Sequence, residues 1–278
     1  MTAEHPAVPG VPFVKGHGTE NDFVLLPDPG GTLEVTAGQV RAVCDRHAGL
    51  GADGIIRVAP APPGGDAAFV MDYRNADGSP AQMCGNGARV FARFLADAGW
   101  AAPGRVRFTT RGGLRTADVP ATGDITIGMG QATLGAVSSA RLGELEITGV
   151  AVDVGNSHLA CPTDIDLATL DLTGAPGVDA AVFPDGVNVE FFTITGPDQV
   201  RMRVHERGVG ETRSCGTGTV AVAAAYLSAS GRTAGTVSVA IPGGSVTVTI
   251  TEDDCTLTGP AVLVASGTID GEFWARHR

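Results

Sequence analysis

The sequence predicts an α+β chain built as two pseudo-repeat domains, each a sheet closed over one buried helix. Three observations predict it. The segments "AQMCGNGARVFARFLADAG" at 81–99 and "ETRSCGTGTVAVAAAYLSASG" at 211–231 share an order: a cysteine, a glycine-rich turn, then a run of helix formers. Cys84 and Cys215 stand 131 residues apart, and a glycine pair follows each by 28 residues, Gly112-Gly113 and Gly243-Gly244. Each pair divides two runs rich in β-branched residues, "RVRFTT" from "LRTADV" and "TVSVAI" from "SVTVTI". Such pairs of runs read as hairpins, and landmarks in step across two halves read as a duplication.

Taken in order, the elements follow from these landmarks. Residues 11–124 form the first domain, completed by the segment 266–278, and residues 125–265 form the second. Helices are expected over about 88–98 and 219–229, the second of them, "TVAVAAAYL", apolar all round and therefore enclosed by its own sheet. Asn75 precedes Cys84 by nine residues, as Glu206 precedes Cys215, and "DITIGMG" at 124–130 is read as the crossing between the halves.

Composition narrows the function. The chain has 278 residues, of which 43% are hydrophobic, enough for packed cores. A net charge of −11 excludes nucleic acid and anionic membrane as main partners, since phosphate binding needs clustered cations. The opening "MTAEHPAVPG" lacks the basic and apolar regions of a targeting peptide, so a cytoplasmic location is expected. Five scattered cysteines, with no CxxC or HxxxH pair, argue against a disulfide framework and against a metal site. Lys15 is the only lysine, which leaves pyridoxal phosphate a single Schiff-base candidate; no cofactor is expected. The stretch "DRHAGLGADG" lacks both GxGxxG spacing and a Walker lysine, so it is no nucleotide loop.

A thiol just before a helix meets unpaired backbone N–H groups and the positive end of the dipole, a setting expected to lower its pKa and enrich the thiolate. The same N–H groups can hold a carboxylate, and the glycines let it approach. With the two domains facing each other across a pseudo-twofold axis, one thiolate would remove an α-proton and the opposite thiol would return one on the other face. Each sulfur would then lie roughly 3–4 Å from the carbon, and closure over the substrate would exclude water. Two buried structural cysteines are the bland rival. Cys44, Cys161 and Cys255 lack the glycine turn and are read as structural.

Six segments in order, "KGHGTENDFVLL", "DRHAGLGADGII", "YRNADGSPAQMCGNGAR", "VGNSHLA", "GVNVEFF" and "HERGVGETRSCGTGT", resemble the diaminopimelate epimerase family over nearly the whole chain. The resemblance implies a mixed β-sheet barrel around a central helix in each domain, with the active site in the cleft between them. It implies cofactor-independent epimerisation of LL-2,6-diaminopimelate to the meso form, in lysine and peptidoglycan precursor synthesis, by a homodimer. On that resemblance Cys84 and Cys215 are the acid–base pair. Gly85-Asn86 and Gly216-Thr217 offer N–H groups to the reacting carboxylate, and Asn21 lines that end. Asn75, Asn156, Asn188 and Arg207 hold the distal carboxylate, Glu206 faces the distal ammonium, and His158 and Glu206 tune the thiols.

Each placement has a plain alternative. The asparagines can be turn residues, Glu206-Arg207 a solvated pair and His158 a packing histidine. The chain departs from the family's usual pattern at Ser157, where a proline is common, at Glu20, which would enlarge the loop before Asn21, and at Gly54, where some members carry glutamine. A two-cysteine racemase of another amino acid, including a proline-racemase-like relative, is the rival activity, and a non-catalytic binding module is the rival class.

Overall fold

The computed structural model describes residues 9–278, so the opening stretch read above for a targeting signal lies mostly outside the described residues. The chain forms two compact units, one running to Gly123 and resumed over Ala261–Arg278, the other Asp124–Pro260. In chain order the first carries β1 (Val11–Gly18), β2 (Asn21–Pro27), α1 (Ala37–Cys44), β3 (Gly54–Pro60), β4 (Phe69–Asn75), α2 (Gly85–Asp97), β5 (Gly104–Thr110) and β6 (Gly113–Val119). The second carries β7 (Ile125–Gly130), β8 (Thr133–Leu142), β9 (Leu145–Asp153), β10 (Ser157–Pro162), β11 (Gly177–Val178), β12 (Asn188–Gly196), β13 (Gln199–Glu206) and β14 (Gly210–Thr212). It ends with α3 (Gly216–Ala229), β15 (Gly235–Ile241), β16 (Gly244–Ile250) and β17 (Cys255–Gly259), before β18 (Val262–Ile269) and α4 (Gly271–Arg276) return to the first unit.

The duplication is written in the strand pairing. In the first unit β18 pairs antiparallel with β1 and β1 with β2; β2 runs parallel to β3; β3 and β4 are antiparallel; β4 is parallel to β5; β5 and β6 form a hairpin. In the second unit the same alternation recurs through β8, β9, β10, β12, β13, β15 and β16. Each parallel step needs a crossover, and in both units the helix behind the cysteine supplies one, α2 between β4 and β5, α3 between β13 and β15. The expected hairpins stand as read. "DITIGMG" does not merely cross: Ile125–Gly130 is a strand that pairs with β17 inside the second unit, because its alternate isoleucines are buried.

Each helix is wrapped by its own sheet. α2 touches strands along the sheet from β18 to β6, and α3 touches β9, β10, β12, β13, β15, β16 and β17. Every residue of α3 from Gly218 to Leu227 is buried. Its valines and threonine are mediocre helix formers by a few tenths of a kcal/mol each. Burial of each valine is worth about 1.5–3 kcal/mol, so packing overrides propensity. Both helices begin three residues earlier than expected, since each cysteine is itself the N-cap, with extended backbone at φ −136° for Cys84 and −125° for Cys215.

Candidate active site

In the first unit the residues predicted for the reacting end assemble around the start of α2. Cys84 Sγ accepts the Gly87 N–H at 3.5 Å and lies 3.5 Å from Asn21 Oδ1, to which it donates. Asn86, 1% exposed, donates its side-chain amide to the same Asn21 oxygen at 3.2 Å. Asn21 is itself held: its Nδ2 donates to Asp53 Oδ2 at 2.7 Å. Arg46 bridges Asp53 and Asp22 at 2.7 and 2.8 Å, and Lys15 pairs with Asp22 at 2.6 Å. Burial alone would raise the Asp22 carboxyl, but hydrogen bonds from Arg46 and Lys15 outweigh it and bring it down to about 2. The lone lysine is thus the end of an ion chain that leads to Asn21.

The turn that delivers Asn21 is strained. Thr19 and Glu20 lie at φ +51° and +62°, between Gly18 and Asn21, which pair with each other. Glu20 therefore completes a two-residue hairpin turn and does not enlarge the loop, contrary to expectation. Left-handed backbone at non-glycine residues costs on the order of 1 kcal/mol or more each. Part of what holds it is the fully buried Arg89, whose guanidinium donates to Thr19 Oγ1 at 3.0 Å. Gly54 also has a steric reason: a Cβ there would fall 2.4 Å from the Arg74 carbonyl oxygen. Asn75 closes β4 and donates to Ser79 Oγ at 3.1 Å, in register with Gly54.

In the second unit Cys215 occupies the equivalent place with different neighbours. It is 6% exposed, and its sulfur lies 3.6 Å from Thr217 Oγ1. Glu206, at the end of β13, takes hydrogen bonds from Thr212 and Cys215, while burial pushes its carboxyl up. Burial, then the negative charges of Glu206 and Glu190, push the Cys215 thiol well above its ordinary value. This corrects the expectation of a lowered pKa. A helix dipole contributes about 0.3–1 kcal/mol at an exposed site, against several kcal/mol for burying an ion. At Cys215 burial wins.

His158 is fully buried, with Nδ1 2.7 Å from Glu190 Oε1 and Nε2 3.1 Å from Asn156 Oδ1. Asn188, across from His158 in register, accepts the Arg207 backbone N–H at 2.9 Å. The Arg207 guanidinium donates to the Asp185 carbonyl at 2.7 Å, on an exposed turn. Gly85, Asn86, Gly216 and Thr217 form the first turns of the two helices. The structure thus gathers Asn21, Asn86 and Cys84 in one cluster and Glu206, Thr217 and Cys215 in another, with Asn156, His158, Asn188 and Arg207 linked beside the second. Cys44 and Cys161 are buried, and burial raises both thiols to about 12. Among the described residues no group of acidic, histidine and cysteine side chains is arranged to hold a metal ion, and no helix is long and apolar enough to cross a membrane.

Sequence reasoning missed Glu190. Its signal was a charged residue in "NVEFF", a strand segment whose every other member is apolar or at the strand start. It also missed Asp22, Arg46 and Asp53, whose link to Asn21 depends on the pairing of β2 with β3.

Comparison with known proteins is consistent across the chain. The sequence profile described as diaminopimelate epimerase matches residues 13–135 and 150–264. A diaminopimelate epimerase of Mycobacterium ulcerans is 50% identical over 289 residues, covering 96% of this chain and 99% of the relative. One from Rhodococcus jostii is 50% identical over 284 residues, covering 94% and 98%. Among solved structures, a phenazine biosynthesis protein of the PhzF family from Bacillus anthracis superposes with a TM-score of 0.70 at 14% identity, over 94% of this chain and 99% of that one. A hydroxyproline epimerase from Agrobacterium vitis gives 0.68 at 17% identity, over 94% and 91%. These two likenesses are of fold.

Proposed function

Because this chain belongs to the diaminopimelate epimerase family, we propose that it interconverts LL-2,6-diaminopimelate and its meso form with no cofactor, as a step of lysine and peptidoglycan precursor synthesis. The observation that carries the reading is the repeated helix start: a cysteine N-cap before a glycine-rich first turn, at the equivalent crossover of each unit. The reaction asks the two sulfurs to act on opposite faces of one α-carbon. One, as thiolate, takes the α-proton; the other, as thiol, delivers its own; the sulfurs end with their protonation exchanged.

In this reading the N–H groups of Gly85-Asn86 and Gly216-Thr217 receive the reacting carboxylate, where the charge of the carbanion gathers. Asn21 lines that end. Asn75, Asn156, Asn188 and Arg207 hold the distal carboxylate, a planar anion that suits an arginine fork, and Glu206 meets the distal ammonium. His158 and Glu206 set the protonation of the thiols. Burial and the carboxylates around Cys215 favour its thiol form, which suits it to deliver a proton when Cys84 acts as the base, and the direction of turnover decides which sulfur is recharged. Homodimer assembly and a cytoplasmic location complete the proposal, on the strength of the family and of a cysteine usage that suits a reducing compartment.

The test is α-proton exchange in deuterated water, followed by NMR over a panel of amino acids. Exchange at one stereocentre of diaminopimelate, with proline, hydroxyproline and simple amino acids inert, is expected. Exchange confined to another amino acid would move the chain to the rival racemase reading.

A further inference from the structure

The His158–Glu190 pair has no role in the proton transfers above beyond tuning, yet it is built at the expense of two buried polar groups. Both side chains are 0% exposed. Glu190 Oε1 faces Nδ1 of His158 at 2.7 Å and Asn156 Oδ1 faces Nε2 at 3.1 Å, so the ring is held from both sides. The second oxygen of Glu190, Oε2, is buried with no hydrogen-bond partner. The carboxylate lies against the first turn of α3: a Cβ placed on Gly218 would stand 2.7 Å from Glu190 Oε1 and 3.3 Å from Cys215 Sγ. The glycine leaves the space through which carboxylate and sulfur face one another.

We propose that Glu190 is a positioning residue of this reaction: it fixes the His158 ring and, by its charge beside the first turn of α3, keeps Cys215 in the thiol form until substrate enters. The meaning of this for turnover rests on the epimerase reading; the interaction itself does not. The titratable groups facing Glu190 are His158 from β10, Glu206 from β13 and Cys215 at the start of α3, while Cys161, in register with Phe191, lies on the other face of the sheet and feels the charge only through it. On β13, Val204 lies opposite Glu190, so Arg203 and His205 point to the other face of the sheet. A negative neighbour favours the neutral thiol, so removing the charge frees the thiolate at lower pH.

The experiment is the pH dependence of iodoacetamide alkylation of Cys215 in the substrate-free protein, read by peptide mass spectrometry, in wild type and Glu190→Gln. The amide keeps the shape and drops the charge. The variant's midpoint should fall by about one pH unit, which makes alkylation about tenfold faster on the rising limb, with the Cys84 profile unmoved. A folded variant whose Cys215 profile matches wild type overturns the proposal and leaves Glu190 a structural ion-pair partner. If Glu190→Gln does not fold, wild-type protein labelled with 15N-histidine decides instead. His158 resonances that move at the Cys215 alkylation midpoint support the coupling, and resonances indifferent to it overturn it. Absence of epimerisation by the wild type would defeat the reading of function, while the alkylation midpoint alone decides the role of Glu190.

Discussion

The starts of α2 and α3 share a motif and a place in the topology, yet their chemistry diverges. At α2 the sulfur of Cys84 is half-buried, accepts an N–H from its own first turn and rests against an amide, Asn21. At α3 the sulfur of Cys215 is buried beside two carboxylates, Glu206 and Glu190, with a threonine hydroxyl as its near partner. Behind Cys84 stands a chain of alternating charges ending at Lys15; behind Cys215 stands a buried acid with a histidine. A duplicated motif thus specifies where a thiol sits, and the strands that differ between the copies specify its charge. An enzyme that must hold one thiol and one thiolate at once has use for that asymmetry.

The comparison breaks most directly at the sulfurs. Cys84→Ala and Cys215→Ala should each lower α-proton exchange by roughly 10²–10⁴, the usual worth of a positioned acid or base, and a variant with wild-type exchange would remove its cysteine from the reaction. Next in size are the glycines three residues on. Gly218→Ala puts a methyl 2.7 Å from Glu190 Oε1, between a buried acid and the sulfur, and should cost about 1–3 kcal/mol of stability together with activity. Gly87→Ala meets the ends of Ile56, Met71 and Phe23 side chains at 3.0–3.3 Å. These can shift, and the helix gains up to about 1 kcal/mol from alanine, so thermal melting should separate the two variants. Equal melting temperatures would contradict the different surroundings described here.

Acid titration sharpens the contrast further. Asp22, held at about 2 against an ordinary 3.8, contributes stability that is present above pH 4 and lost as the pH falls toward 2. The contribution is on the order of 1–2 kcal/mol, and Asp22→Asn should flatten that limb of the stability curve. Glu206 has the opposite sign: its raised carboxyl binds its proton more readily in the folded chain, so stability falls as the pH rises past its ordinary value of 4.5. Glu206→Gln should remove that slope. The smallest effect concerns labelling order. At neutral pH one equivalent of maleimide should mark Cys84 first, with Cys44 and Cys161, raised to about 12 by burial, last. Early labelling of Cys161 would show that its burial is not maintained in solution.

The duplication, the hairpins, the two helices and the cysteines at their mouths were legible in the amino-acid order, because each depends on local spacing: a glycine pair between β-branched runs, a thiol before a flexible turn, an apolar stretch too uniform for a surface. Asn21, Glu206 and Arg207 were named only through the resemblance of their segments to a known family, since spacing alone left them open as turn or surface residues. What the tertiary structure decided was the electrostatics. The expected low pKa of both thiols followed from the helix dipole, a local effect; at Cys215 it is overruled by burial and by carboxylates on β12 and β13, which no spacing along the chain brings near residue 215. The link from Lys15 through Asp22, Arg46 and Asp53 to Asn21 likewise exists only once β2 lies beside β3. Short-range order is set by backbone geometry and side-chain shape, which a sequence carries in its neighbours. The charge state of a group is set by everything within a few ångströms and by its distance from water, and only folding determines those.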